Sequence, residues 1–221
     1  MMARPPSATA RSVQQVVSAL FAACFYAQAS AAVPFTVQGP GVNSNDFRVT
    51  IFVSGLDFPL DMAKLSDGSL LVGACQGANF FNSTGKLLRF TDTNDVGIAD
   101  GPGTVLYTGL PTSQTAVRIA GTLVFVTGQN EPITILRAGT TPSSPLKLVG
   151  QIGILYSGSW EHPNSALTVR DTPGRTNAYD LLFQLGSDSN YAVTTQTTSL
   201  TNRNVPGATG TLRGDSCYMI T

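Results

Sequence analysis

Between Phe47 and Val53 apolar and polar residues alternate, and most are branched or aromatic, which predicts a β-strand. From Ser54-Gly55-Leu56 onward, short apolar runs recur between turn residues and fall into a repeating unit. The first copy predicts strands at 60–64, 69–74, 86–90 and 104–108, with Ser66-Asp67-Gly68 as the turn between the first two. Gly109-Leu110-Pro111 echoes Gly55-Leu56 and restarts the pattern, giving strands at 116–119, 123–127, 133–137 and 146–149. A third copy opens at 164–169, turns at Asp171-Thr172-Pro173-Gly174 and continues through 179–185.

Four short strands per unit, repeating about every fifty residues, predict an all-β fold built as a β-propeller, in which each small sheet buries its faces against its neighbours. A sandwich or an up-and-down barrel also yields many short strands. Neither explains why the third strands of the first two copies both close on arginine, at Leu88-Arg89 and Leu136-Arg137. The count comes to about three four-stranded blades of a six-bladed ring, an incomplete one, since closed propellers carry about four to eight. Cys217 to Thr221 read as a strand with no cap after it. The expectation is therefore the N-terminal portion of a longer protein, with the propeller over 47–221 and the 47–53 strand closing the ring.

Composition agrees with this reading: glycine, threonine, serine and valine are plentiful, while lysine and glutamate are scarce, as in a turn-rich β protein. The 13 basic and 13 acidic residues balance, which argues against a nucleic-acid partner. Residues 1–32 read as a signal peptide: Arg4 and Arg11 open it, Val16 to Ala27 form its apolar run, and small residues at 27–32 offer cleavage sites. Cys24 as a lipid-modified residue is the competing reading. The apolar run is short for a mature anchor, so a secreted protein, extracellular or periplasmic, with no membrane association after signal removal is expected. Residues 33–46 form an irregular lead-in rich in Pro, Gly and Asn. Beyond the signal only Cys75 and Cys217 remain, either as one disulfide or as two buried thiols on separate strands. Neither has a partner at zinc-site spacing.

Candidate chemistry centres on Ser159-Trp160-Glu161-His162-Pro163, which holds the only histidine and the only tryptophan of the chain. An imidazole titrates near neutrality, so His162 is the natural general base, with a hydrogen-bonded structural histidine as the plain alternative. The flat face of Trp160 suits stacking on a sugar or a quinone, or packing between blades. Asp188-Ser189-Asn190 follows a strand end and lines the same mouth or makes a turn. Asp92-Thr93-Asn94-Asp95-Val96-Gly97-Ile98-Ala99-Asp100 reads as a solvated turn or as a weak calcium loop with oxygen donors at Asp92, Asn94 and Asp100. Asn82-Ser83-Thr84 fits a glycosylation sequon. There is no phosphate loop and no dinucleotide fingerprint, which argues against a nicotinamide enzyme.

These residues resemble the glucose/sorbosone dehydrogenase family of soluble quinoprotein propellers. The likeness is carried by Leu65-Ser66-Asp67-Gly68-Ser69-Leu70-Leu71-Val72, Gly85-Lys86-Leu87-Leu88-Arg89-Phe90-Thr91-Asp92, Gly109-Leu110-Pro111 and the His162 stretch. The resemblance implies oxidation of a sugar or sugar-derived substrate, with His162 taking the hydroxyl proton as hydride passes to pyrroloquinoline quinone. It implies Glu161 as the group that orients His162, Gln114 as a cofactor-lining residue, and calcium as a support for cofactor and fold; Trp160 by its flat face and Asn190 by its place after a strand end are the other candidate cofactor-binding residues. The arginines and lysines that the family also uses would come from later blades, beyond Thr221. A non-catalytic extracellular propeller that binds carbohydrate or protein is the alternative, and a calcium-dependent lactonase of similar shape a third.

Overall fold

A computed structural model describes residues 36–82, 84–110, 113–129, 131–155, 166–186, 197–202, 209–213 and 216–221. The chain forms two compact units, Met1–Ile51 and Phe52–Thr221. In the described part of the first, Asn43 caps the 3-10 turn Ser44–Asp46. Its side-chain oxygen accepts from the Asn45 amide at 3.2 Å and its amide donates to Asp46 at 3.1 Å.

The second unit is all-β and antiparallel. Strands β1 (Pro59–Lys64), β2 (Leu70–Gln76), β3 (Thr84–Phe90) and β4 (Thr104–Leu110) make a four-stranded meander in sequence order. Strands β5 (Gln114–Ala120), β6 (Leu123–Gly128), β7 (Ile133–Arg137) and β8 (Lys147–Leu155) repeat it. A third sheet holds β9 (Leu167–Asp171) and β10 (Tyr179–Leu185), with β13 (Ser216–Ile220) on the far side of β10. The hairpin β11 (Thr197–Asn202) and β12 (Thr209–Arg213) joins the far half of β8, so the second sheet runs to six strands.

Alternation explains how the sheets stack. In the first sheet Leu71, Leu87 and Leu106 project to one face and meet Val117, Val124, Val126 and Leu136 of the second. The opposite face of the second sheet carries Ala116, Phe125, Ile133 and Ile152 onto Leu167, Leu181 and Phe183 of the third. The second sheet is thus apolar on both faces, and β6 reads as a continuous run of buried residues. Each fully buried leucine or isoleucine there contributes about 2 kcal/mol of transfer free energy. The outer face of the first sheet is covered by Phe52, Val53 and Leu56, which pack on Val72, Ala74, Leu88 and Phe90.

Two sequence expectations need correction. No strand forms over 47–53: alternation alone does not make a strand, which exists only where a ladder pairs it, and the first paired strand among the described residues is β1. Phe52 instead accepts a single backbone bond from Ala99 at 2.8 Å. The third copy is also not a four-stranded blade among the described residues. After β10 the next hairpin pairs with β8, and β13 takes the free edge of β10 through the register Phe183 with Tyr218 and Leu181 with Ile220. That register lays Tyr218 and Ile220 on the buried face of the sheet, where the hydrophobic pattern of 216–220 sends them. Among the described residues no closed sheet forms.

Cys75 and Cys217 are both free thiols. They stand in different sheets; Cys75 is buried and Cys217, expected to be buried if unbridged, is exposed.

Candidate functional site

The first strands of the three sheets lie side by side, β1 against β5 and β5 against β9. No ladder joins β1 to β5. The Asp61 carboxylate takes its place, accepting the Val117 amide at 2.8 Å and pairing with the Arg118 guanidinium. The strands run the same way. Beyond their C-terminal ends, Leu65-Ser66-Asp67 after β1 and Gly121-Thr122 after β5 line one cavity of about 190 Å³. At that end too, Gly121 lies against the Tyr179 hydroxyl, and Tyr179 pairs with Asp171, the last residue of β9. The starts of β1, β5 and β9 therefore share the opposite end.

At that end the backbone is unusual twice. Phe58 and Ser113, each the residue before the first strand of its meander, have φ of 42° and 53°. A bulky phenylalanine in this region is a steric outlier, costing on the order of 1–3 kcal/mol, and such strain concentrates at functional sites. The Phe58 ring sits 6.3 Å from that of Phe80, which meets Phe81 edge to face at 5.2 Å. The Ser113 hydroxyl reaches the Phe80 carbonyl at 3.4 Å, and the Cys75 amide bonds the Asp57 carbonyl at 3.2 Å. Entry segment, β2–β3 loop and start of β5 are thus tied into one rim.

Gln114, the first residue of β5, is 2 % exposed and lies beneath this rim in the wall between the first two sheets. Its amide nitrogen donates to the Ala74 carbonyl at 3.2 Å and approaches the Cys75 sulfur at 3.7 Å, while its carbonyl oxygen has no partner. The space for it exists because residue 85 is glycine: a Cβ there would collide with the amide. The expected cofactor-lining residue is therefore an interior wedge. Its orphaned acceptor is a buried polar group without its usual compensation.

The Asp92–Asp100 loop closes on itself. Asp92 accepts the Val96 and Gly97 amides at 3.1 and 2.7 Å, and Asp100 accepts the Thr93 amide at 3.2 Å. Hydrogen bonds from Thr91 and then Thr93 hold the Asp100 carboxyl below its ordinary range. Both carboxylates are occupied by loop donors, and among the described residues no group of three His, Cys, Asp or Glu is placed to hold a metal. Asn94 is exposed on the same loop.

His162, Glu161, Trp160 and Asn190 lie outside the described residues. Leu167, which follows the first three in the sequence, begins β9 at the end where Phe58 and Gln114 stand. The aromatic rim itself was hidden in sequence, since 77–83 reads as a polar loop. Its signal was the Phe80-Phe81 pair, two large apolar residues where loop chemistry gives no reason for them.

No protein-family model, no curated protein and no solved structure matches the chain.

Pyrroloquinoline quinone carries carboxylates, and a site for it needs cations. The exposed described side chains of the rim, among them Asp57, Phe58, Gln76 and Phe81, include no arginine or lysine. Lys86, nearest in sequence, pairs with Ala74 and so projects from the sheet face opposite Gln114. The described rim thus offers such a site aromatic surface and hydrogen-bonding groups, and the cations would come from residues outside it.

Proposed function

We propose that the chain is part of a secreted β-propeller that receives a sugar at the end where β1, β5 and β9 begin and oxidises it as the glucose/sorbosone dehydrogenases do. The observation that carries this reading is the parallel, side-by-side course of the three first strands, each opening its own antiparallel sheet. Blades around a common axis are arranged in this way, and Leu167, five residues after His162 in the sequence, begins β9 at the same end as the rim. His162 takes the proton from the sugar hydroxyl, and Glu161 orients the imidazole and raises its basicity. Pyrroloquinoline quinone, the acceptor implied by the family resemblance, would take the hydride.

The second reading, a propeller that binds carbohydrate without oxidising it, is favoured by the lack of a cation among the exposed described residues of the rim. One experiment separates the two. The secreted protein is incubated with calcium and pyrroloquinoline quinone, and dye reduction is followed over a panel of aldoses, with His162→Ala alongside. Oxidation requires dye reduction by the wild type, reduced at least a hundredfold in the variant while quinone binding persists. A wild type that does not bind the quinone leaves recognition alone.

A further inference from the structure

We propose that Phe58, Phe80 and Phe81 form a stacking platform for a pyranose ring, with Asp57 and Gln76 as its hydrogen-bonding fringe. The proposal names the binding subsite of the sugar reading given above, and rests on that reading for the class of ligand. Phe81 is 65 % exposed and Phe58 39 % exposed, and with Phe80 they make a cluster of three aromatic rings at one rim. The rings are not loosely displayed. Phe81 is fixed by its amide donating to Asn79 at 3.0 Å, Phe80 by its contacts with both other rings, and Phe58 by a backbone conformation that its own side chain disfavours. A rigid, exposed aromatic surface loses little entropy on binding.

The surroundings point to a sugar. A pyranose presents an axial C–H face, which suits the negative face of an aromatic ring, and a rim of hydroxyls, which need acceptors and donors at its edge. Asp57 directly precedes Phe58, Gln76 ends β2 four residues before Phe80, and both are exposed; the bond from the Cys75 amide to the Asp57 carbonyl holds these two stretches together.

The test uses the whole chain without quinone, in calorimetric titrations with maltotriose, cellotriose and chitotriose as probes. At least one probe is expected to bind. Phe81→Ala should weaken it tenfold or more with no change in melting temperature, and Phe81→Trp should preserve it. Phe58→Gly should weaken binding while raising the melting temperature, because glycine accepts the positive φ. Phe47→Ala, which removes an exposed ring of the other unit, should leave the affinity within twofold. Failure of all three probes, or binding untouched by both Phe81→Ala and Phe58→Gly, overturns the platform, and capture of a protein ligand alone does the same. The outcome is separable from that of the oxidation reading. Binding without dye reduction keeps the platform and removes the chemistry, whereas dye reduction with an unchanged KM in Phe81→Ala does the reverse.

Discussion

The meanders β1–β4 and β5–β8 repeat one strand order and one arginine at the close of the third strand, yet they are held by different forces. The second is pressed between two apolar layers, and its first turn, Gly121-Thr122, carries no charged side chain. The first has a neighbour sheet on one face and a short segment, 52–56, on the other, with Leu60, Met62 and Val105 left exposed. It compensates with polar links. Asp67 in its first turn accepts the Ser69 hydroxyl at 2.6 Å and Arg89 at 2.6 Å, and Arg89 also reaches the Ser69 hydroxyl at 2.9 Å. Arg137, the counterpart of Arg89, is exposed. The same repeat can thus be stabilised by burial where layers surround it and by a charged clamp where they do not.

The sharpest way to break that comparison is truncation of a buried apolar residue in the second sheet and of an exposed one in the first. Ile133→Ala, at a position with no exposure in the second sheet, should cost about 3–4 kcal/mol through lost transfer energy and the cavity left behind. Met62→Ala, 59 % exposed on the first, should stay within about 0.5 kcal/mol. Urea unfolding curves of the two variants measure this directly. Equal losses would mean that the outer face of the first sheet is as well covered as the interior.

Next in size is the joint between the meanders. Gly85→Ala places a methyl against the Gln114 amide and 2.8 Å from the Leu110 Cβ, and should destabilise by about 2–3 kcal/mol. Gln114→Ala combined with it should recover part of that loss, since one of the two clashing groups is removed. Non-additivity in the double-mutant cycle is the expected result, and simple addition would show that the amide does not occupy the gap in solution.

The strands were legible because each local signal agreed with its environment. The turn residues Asp67-Gly68, the alternation on β1 and the apolar run of β6 all give the right element, with ends displaced by a few residues. The errors fall where pairing is decided by distant residues. Alternation at 47–53 carries no information about whether a partner strand exists, and β11 gives no local reason to join β8 rather than β10. For the candidate site the sequence offered residue types and no contacts. The family resemblance put Gln114 beside a cofactor, and the pair of glycines at 73 and 85 leaves a hollow that holds its side chain in the wall between the first two sheets. The strain at Phe58 and Ser113 was invisible, since nothing in either residue type favours a positive φ.

The smallest effect tests the clamp itself. Hydrogen bonding from Ser69, aided by Arg89, lowers the Asp67 carboxyl from 3.8 to about 2. Because the folded value is depressed, the clamp contributes its full stability above about pH 4 and loses it as the pH falls towards about 2. Asp67 is partly exposed, so solvent screening limits the contribution to about 1 kcal/mol. Asp180 and Asp100 are held low as well and weaken in the same direction on acidification, so the useful quantity is the difference between the wild type and Asp67→Asn. That difference should shrink between about pH 4 and pH 2 and be flat above it. Arg89→Ala should reproduce only part of it, since the Ser69 bonds remain, and Arg137→Ala should change stability by less than about 0.5 kcal/mol at every pH. A wild-type and Asp67→Asn pair whose acid unfolding curves superimpose would show that the first meander, like the second, stands on burial alone.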